Sequence, residues 1–524
     1  MTGPRVVVVG GGLAGITAAI ELRDAGLDVT LLESRPRLGG AATSYARAGM
    51  MIDNGQHVFL RCCTSYQDLL TRLGVTGQVA IQDRFDVTVL AAERRARLRR
   101  SGLPSPLHLA RALAGYPLLP VADRVRVGRA ALGFRLADPD SPALDRQRLG
   151  DWLGARGQSE QARRRLWDVF IISALNIDGD EASAGLAAKV IKTALLGRRD
   201  AADIGMATVP LGRLHADATA DLLARLGAEV RLGARATAIE RLAGQGFRVK
   251  VGHGEVTGAD AGPGAGDSAD RPASGPETNG GGSAGRPDLA DDGQSMLADG
   301  VVLAVPADQA ARLAGTAGVT EAAAWTGLGH SPIVNVHVIY DRKVMDLPFV
   351  AAVDSPVQWV FDKTRQAGLD GGQYLAVSVS AADDLVDVPT AAIRAEFGPA
   401  LERLFPAAAG AGIKDFFVTR ERRATFRQAP GCGALRPGAA TSVPGFTLAG
   451  AWTATGWPDT MEGAVRSGHT AGRELARMLA SLPARDLAAG GSGGSSPRVS
   501  TAGGSGGSSP SVNTPLDSAW SGAS

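Results

Sequence analysis

Residues 5 to 40 restrict the fold of this chain more than any other stretch, because residue type and spacing agree there. An apolar β-branched run at residues 6 to 9 is typical of a buried parallel strand. The glycines that follow have G-x-G-x-x-G spacing: Gly10, Gly12 and Gly15. An apolar-periodic helix over residues 13 to 22 and a second strand over residues 28 to 32, ending at Glu33, complete the pattern. This order predicts a βαβ unit that binds a dinucleotide.

The residues of this unit have separate predicted tasks. Gly10 permits the tight turn, Gly12 lets the backbone approach a pyrophosphate, and Gly15 lets helix and strand pack closely. Leu13 and Ala14, at the helix start, offer free N–H groups and the positive end of the helix dipole. We expect Glu33 to accept hydrogen bonds from ribose hydroxyls. Its charge would repel a 2′-phosphate, which leaves FAD or NAD.

Composition excludes several classes of function. The chain has 524 residues, is 44% hydrophobic and 21% charged, and carries a formal net charge of +2, which indicates a two-domain globular protein without a nucleic-acid partner. Its three cysteines show no zinc or disulfide spacing, so we expect no metal and a reduced, cytoplasmic setting. No apolar stretch reaches the roughly 18 to 20 residues that cross a bilayer, so membrane contact would be peripheral, on the inner face.

The pattern along the chain predicts a discontinuous, α/β architecture. A cofactor domain is expected over residues 1–84, 205–325 and 427–482, and a substrate domain over residues 85–204 and 326–426. The first part of the substrate domain is rich in arginine-bearing helices. One of its stretches, Leu107 to Leu119, is either an ordinary core-facing helix or a segment lying in a membrane surface. Alternation over residues 333–340, 358–361 and 374–380 predicts half-buried antiparallel strands, and composition predicts a disordered insertion at 252–300 and a disordered tail at 483–524.

A second predicted half of the cofactor site lies near the end of the folded part. The strand at residues 446–450 ends in Gly450 and leads to the start of a helix, where Asp459 and Glu462 have capping-box spacing. Free N–H groups there could stabilise negative charge on a bound ring. The residues predicted to contact the cofactor in this half are Gly450, Ala451, Thr460, Met461 and Ala464.

Residues 33 to 40 resemble the E-x-x-x-x-x-G-G extension of the FAD-dependent amine oxidase and carotenoid desaturase superfamily. The resemblance implies FAD as the cofactor and a Rossmann-type FAD-binding domain with an interleaved α+β substrate domain. It also implies that Arg35, Gly39 and Gly40 approach the phosphates. The chain has Ala41 where the superfamily usually has Arg.

Four further sequence motifs are more specific. They are W-T-A-T-G-W-P-x-T-M-E-G-A-V-R-S-G at residues 452–468, D-N-G-Q-H-V at 53–58, M-D-L-P-F at 345–349 and S-P-V-Q-W-V-F at 355–361. Together these motifs resemble the hydroxysqualene dehydroxylase family of hopanoid synthesis. The resemblance implies an isoprenoid lipid substrate, removal of an allylic hydroxyl by hydride from reduced FAD, and other triterpenoid enzymes as neighbours in the pathway. Ala451 replaces the usual Asp, so we expect weaker FAD retention.

Removal of the hydroxyl group needs an acid that helps hydroxide leave and an apolar tunnel that excludes water. We expect His57 first and Asp53 second as the acid, because their segment resembles the one that passes the flavin in the family; a structural role is the alternative for both. Trp452, and less so Trp457, is predicted to wall the site. The candidate channel residues, for which core packing is the alternative, are Phe170, Asn176, Phe349 and Trp359.

Two rival functions stay open. A desaturase on the same scaffold would oxidise phytoene or another polyene, and the cofactor motifs do not separate it from a dehydroxylase. A non-catalytic prenyl-lipid carrier that retains FAD structurally is the other alternative.

Overall fold

A five-stranded parallel sheet and a seven-stranded mixed sheet organise this computed structural model, which describes residues 3–92, 94–243, 246–253 and 294–481. The parallel sheet has the spatial order Glu229–Leu232, Asp28–Glu33, Arg5–Val9, Gly300–Leu303 and Phe446–Leu448. It therefore joins three distant parts of the chain, and the carboxyl ends of all five strands meet at one edge. The predicted βαβ unit is present, with its helix at Leu13–Asp24. The predicted α/β fold class is confirmed by this sheet.

The seven-stranded sheet has the order Ile413–Thr425, Ser331–Tyr340, Gln373–Ser380, Trp359–Asp362, Phe349–Ala352, Asp86–Ala91 and Arg94–Arg99. All of its pairs are antiparallel except Phe349–Ala352 with Asp86–Ala91. It draws strands from both segments predicted as the substrate domain.

The second strand in this order, Ser331–Tyr340, differs from the prediction of a half-buried strand, because nearly all of its residues are buried. One face packs in the core with Val334 and Val336. The other face, with Ile339, is covered by the hairpin Ser44–Arg47 and Met50–Asp53. Polar residues on that covered face are buried because they find partners: His337 contacts the Tyr374 hydroxyl at 2.7 Å and the Thr419 hydroxyl at 3.0 Å.

The predicted bounds of the insertion, 252–300, include residues at both ends that belong to β-strands. Phe247–His253 pairs with Gln294–Ala298, and Ala234–Arg241 completes a three-stranded antiparallel sheet. The second strand is ordered because Met296 and Ala298 pack in the core. The remaining residues of the predicted insertion, 254–293, and the predicted tail lie outside the described residues.

Short strands and helices complete the described part. Val58–Leu60, Ile204–Ala207 and Val79–Ile81 form a small antiparallel sheet. The α-helices are Leu13–Asp24, Thr64–Arg72, Ala110–Ala114, Val121–Leu136, Pro142–Asp145, Leu149–Gly154, Glu160–Ala162, Asp168–Leu175, Ala184–Val190, Ala218–Arg225, Ala307–Thr316, Thr364–Ala367, Thr390–Leu404 and Met461–Ala480. Ile191–Leu195 is a π-helical segment that continues helix Ala184–Val190.

Helix Met461–Ala480 packs directly on helix Leu13–Asp24, which brings the two predicted halves of the cofactor site together. The approach is close because Gly468 has no side chain: a Cβ there would lie 2.3 Å from the carbonyl oxygen of Ala14. Glu21 reinforces the contact through His469 at 2.6 Å and Arg473 at 3.0 Å.

Candidate cofactor site and active-site cavity

The glycine loop has the shape that its spacing predicts. Gly10 has φ +107°, and a Cβ on Gly15 would lie 1.9 Å from the Gly10 carbonyl oxygen, so neither position tolerates a side chain. A Cβ on Gly12, in contrast, would have only the Gly40 Cα within 4 Å, at 3.9 Å. Gly12 thus faces open space at the helix start. No side chain caps that helix, so the first-turn N–H groups of Leu13 and Ala14 can serve a phosphate.

The segment after the second strand folds back over this loop. The buried carboxylate of Glu33 accepts the Gly11 N–H at 2.7 Å and the Arg35 N–H at 2.8 Å. The Gly39 N–H donates to the Gly11 carbonyl at 2.8 Å, and the Arg35 guanidinium lies 3.5 Å from the carbonyl oxygen of Gly40. The E-x-x-x-x-x-G-G residues therefore lie against the glycine loop.

The distant half of the site is fixed to helix Met461–Ala480. Gly450 has φ +143°, and its N–H donates to the Ser467 hydroxyl at 2.8 Å. Ala451 is buried just beyond it. Thr460 is the N-cap, and its hydroxyl accepts the Gly463 N–H at 3.2 Å. Ala464 follows in the first turn, where its N–H donates to the Thr460 carbonyl at 2.9 Å.

The predicted capping box of Asp459 and Glu462 is wrong, because tertiary contacts claim both carboxylates. Asp459 accepts the Phe426 N–H at 2.9 Å, and burial raises its pKa to about 6. Glu462 accepts the N–H groups of Ser65 at 3.2 Å and Tyr66 at 2.8 Å, so it caps helix Thr64–Arg72 instead of its own. Thr460 replaces Asp459 as the cap.

A cavity of about 270 Å³ begins at this helix start. Thr460, Met461 and Glu462 line it, and apolar side chains dominate its walls. The apolar wall residues include Val58, Phe59, Leu60, Phe85, Val87, Val169, Phe170, Val190, Leu195, Ile204, Ile333, Phe349, Trp359, Phe361 and Trp457. Such a cavity suits a long apolar substrate that reaches the ring-side end of the cofactor site.

The two predicted acids lie near each other, close enough for the charge of Asp53 to act on the His57 ring, whereas Trp452, predicted to wall the site, lies in the core. His57 is part of a second, smaller cavity of about 40 Å³, which shares Gln56, Val58 and Phe361 with the large one. Its ring contacts the Gly55 carbonyl at 3.1 Å, and burial lowers its pKa below the ordinary value.

Asp53 is buried behind the wall, where it accepts hydrogen bonds from the Ser44 hydroxyl at 2.7 Å and the Leu211 N–H at 3.0 Å. Its other oxygen lies 2.8 Å from the Lys363 ammonium. Trp452 packs on Trp325 in the core and donates to the Val305 carbonyl at 3.0 Å, so its ring anchors the loop. Trp457, which the sequence ranked lower, lines the cavity.

Three of the four candidate channel residues line the cavity: Phe170, Phe349 and Trp359. Asn176 is absent from its lining. It ends helix Asp168–Leu175 in a left-handed conformation, φ +49°, and its amide bonds the Ser331 carbonyl, the Thr425 hydroxyl and the Ala381 N–H. These bonds account for its burial.

Sequence reasoning missed several polar residues of the site. The Nε2 atom of Gln56 is buried at the cavity wall with no hydrogen-bond partner among the described residues. Cys62 and Cys63 are partly exposed free thiols that line the cavity. Arg436, almost fully buried, donates to the carbonyls of Ala451 at 2.9 Å and Thr453 at 3.0 Å. Only Gln56 carried a signal, since it stands beside His57 in the singled-out D-N-G-Q-H-V motif.

These features fit FAD. An uncapped helix start with open space before Gly12 suits a pyrophosphate, Glu33 ends the second strand beside the glycine loop as the dinucleotide fingerprint requires, and a second helix start meets an apolar cavity. Gly10, Gly12, Leu13, Ala14, Glu33 and Arg35 would hold the nucleotide side. Gly450, Ala451, Thr460 and Met461 would hold the ring side.

Comparisons with known proteins agree with this fit. The family model for flavin containing amine oxidoreductase matches residues 13–262 and 284–476. The chain is 32% identical over 476 residues to hydroxysqualene dehydroxylase of Rhodopseudomonas palustris, covering 89% of this chain and 97% of that protein. It is 31% identical over 192 residues to a zeta-carotene desaturase of Zea mays, covering 34% of each chain.

Among solved structures, cyclohexylamine oxidase of Brevibacterium oxydans matches with a TM-score of 0.60 at 20% identity, covering 91% of this chain and 100% of that one. At that identity the match establishes the fold only.

Proposed function

The chain belongs to the flavin containing amine oxidoreductase family, and from that premise we propose that it removes the hydroxyl group of hydroxysqualene, yielding squalene and water. One observation supports this substrate above all. The large cavity is apolar, yet at Gln56 its wall holds a buried amide nitrogen that has no hydrogen-bond partner in the part of the chain that the structure describes. An unpaired buried donor is unfavourable unless a ligand satisfies it, and an isoprenoid alcohol offers one oxygen on an apolar chain.

Bound, reduced FAD would supply hydride to the carbon that loses oxygen. The protein contributes the remaining parts. Its apolar walls exclude water from the reacting carbon, and the helix start at Thr460 and Met461 offers N–H groups to the ring side. The Gln56 amide donates to the substrate hydroxyl and holds it in place.

We keep His57 as the proposed proton source for the departing hydroxide, because it follows Gln56 and lies behind the shared wall. The negative charge of Asp53 favours the protonated ring and so acts against the effect of burial. Asp53 is then a positioning residue. Because burial places the His57 pKa below its usual 6.5, kcat/KM should fall as pH rises through that lowered pKa. His57→Gln should flatten this limb of the profile while flavin content stays normal.

The test is a single turnover without oxygen. Pre-reduced holoenzyme mixed with hydroxysqualene should form squalene as the flavin reoxidises. Gln56→Leu should lower kcat/KM by about 3- to 10-fold, the value of one hydrogen bond. Ser173→Ala is the matched control, because Ser173 lines the same cavity but its hydroxyl already donates to the Val169 carbonyl at 2.9 Å.

A polyene desaturase is the second candidate, favoured by the partial match to zeta-carotene desaturase. Oxidised holoenzyme that dehydrogenates phytoene, together with no squalene from hydroxysqualene, would replace our proposal with this one. Flavin that dithionite reduces, but that hydroxysqualene does not reoxidise and phytoene does not reduce, would instead indicate a lipid carrier.

A further inference from the structure

The outer face of helix Val121–Leu136 carries an unusual group of exposed apolar residues. Val121, Val125, Leu132 and Leu136 are between 57 and 77% exposed, the four highest values among large hydrophobic residues of the described chain. At 100° per residue they fall within a stripe about 60° wide. The opposite face, with Val127, Ala130 and Phe134, is buried in the core. Packing therefore fixes the helix in a position that turns its apolar stripe outward.

Arginines border this stripe. Arg124 and Arg135 lie on one side of it and Arg129 on the other, by the same helical geometry. Arg129 and Arg135 form no ion pair with any residue that the structure describes, and the one acidic residue of the helix, Asp123, is buried and bonded to Arg126 and Ser159. The exposed Arg111 likewise has no acidic partner in the described ranges. The surface is thus apolar at its centre and positive at its edges.

Two further exposed leucines precede this helix in the chain. Leu103 and Leu107 are about half exposed, at 48 and 55%. In the stretch from Leu107 to Leu119, for which a core-facing helix and a membrane-surface segment were the alternatives, Leu107 is exposed, whereas Tyr116, Leu118 and Leu119 are buried. We call Leu103, Leu107 and the stripe on helix Val121–Leu136 the apolar face.

This face is attached to the wall of the large cavity. The carbonyl of Ala137, just after the helix, accepts a hydrogen bond from the Lys192 ammonium at 2.9 Å. The Ser105 hydroxyl, between Leu103 and Leu107, donates to the Leu196 carbonyl at 2.9 Å. Lys192 belongs to the π-helical segment Ile191–Leu195, and Leu196 directly follows it. Thr193, Ala194 and Leu195 of this segment line the cavity.

We propose that the apolar face is a docking surface for an anionic lipid bilayer, with the helix lying in the plane of the headgroups. Apolar side chains enter the acyl boundary and the flanking arginines bind lipid phosphates, as in interfacial amphipathic helices. A second copy of the chain is a poorer occupant, because it would bring the same unpaired arginines together. No helix in the described residues is long and apolar enough to span a membrane. The inference does not depend on which isoprenoid the cavity binds.

The test is flotation of the purified holoenzyme with phosphatidylcholine vesicles, with and without phosphatidylglycerol. Binding should require phosphatidylglycerol and weaken with salt. Val125→Ser with Leu132→Ser should reduce the partition coefficient by at least about 10-fold, since burial of one such side chain is worth roughly that factor. Arg129→Gln with Arg135→Gln should reduce it by about 10-fold or more, at roughly fivefold per arginine.

The matched control is Leu232→Ser with Leu297→Ser, which removes two comparably exposed leucines, 48 and 47%, from other elements. It should bind vesicles as the wild type does. Thermal unfolding and flavin absorbance report folding for every variant, and the changed residues are all on the surface. Failure of the wild type to bind either vesicle, or binding that the helix variants leave unchanged, overturns the proposal. Self-association that the Val125 and Leu132 changes abolish, without vesicle binding, assigns the face to a second copy.

Discussion

Glu462 provides the sharpest test of how the site is held together. Its carboxylate is 1% exposed, accepts two N–H groups from the start of helix Thr64–Arg72, and lies 2.7 Å from the Arg466 guanidinium. Glu462 also lines the large cavity. One side chain therefore joins the helix start on the ring side of the cofactor site to a second helix nearly four hundred residues earlier in the chain.

Glu462→Gln keeps the shape but removes the charge. Hydrogen bonds to a charged acceptor contribute about 1.5 to 3 kcal/mol each, and the amide can keep one of the two bonds to Ser65 and Tyr66. Arg466 is about one third exposed, so water replaces its lost partner. We expect the free energy of unfolding to fall by about 2 to 4 kcal/mol, with faster loss of FAD on dilution. Glu462→Ala should lose more, because it leaves both N–H groups without an acceptor.

Urea denaturation followed by flavin fluorescence measures both effects. Glu474→Gln is the control, since Glu474 lies on the same helix and pairs with Arg477 at the surface, where such a pair contributes about 0.5 kcal/mol or less. If Glu462→Gln shifts the urea midpoint no further than Glu474→Gln, Glu462 is not an anchor and the reasoning fails.

Three further predictions follow from single positions. Burial, together with the nearby charges of Asp178 and Asp180, raises the pKa of Asp168 from 3.8 to about 7. The folded protein therefore loses stability as pH rises from about 4 to 7, because the buried carboxyl must ionise. Asp168→Asn should match the wild type in unfolding free energy near pH 4 and exceed it by up to about 4 kcal/mol at pH 8. Ala451→Asp should raise the FAD content of purified protein, and equal content in both would refute the expected weak retention. Gly468→Ala should lower the unfolding free energy by about 3 kcal/mol through its clash with a backbone oxygen, whereas Gly315→Ala, with nothing within 4 Å, should raise it by up to about 1 kcal/mol in the same urea titration.

Local patterns predicted the parts of the fold that local physics decides. The first strand, its helix and the second strand lie within two residues of their predicted bounds, because glycine spacing and apolar runs act over short distances. The half-buried strand prediction failed at Ser331–Tyr340, since the hairpin that covers its second face comes from nearly three hundred residues earlier.

Side-chain directions in the site could not be predicted in the same way. Asp459 and Thr460 are both residue types that favour the N-cap position. Thr460 is the N-cap of helix Met461–Ala480, because the Asp459 carboxylate accepts the Phe426 N–H instead. Trp452 and Trp457 stand in one loop, yet only Trp457 reaches the cavity, because the Val305 carbonyl holds the Trp452 indole in the core. Each outcome depends on a partner that the local sequence does not contain.

Arg436 shows how such a distant partner bears on the cofactor. Its guanidinium is held by the backbone carbonyls of Ala451, Trp452 and Thr453, and by the Thr455 hydroxyl at 3.0 Å. Burial lowers its pKa, while the charge of Asp459 raises it. A buried cation thus shapes the loop between the strand-ending glycine and the helix start, at the very position where the family resemblance expects an acidic residue. A carboxylate introduced at residue 451 would have this cation and the positive helix start as neighbours, which is why we expect the Asp substitution to strengthen the site and not to disrupt it.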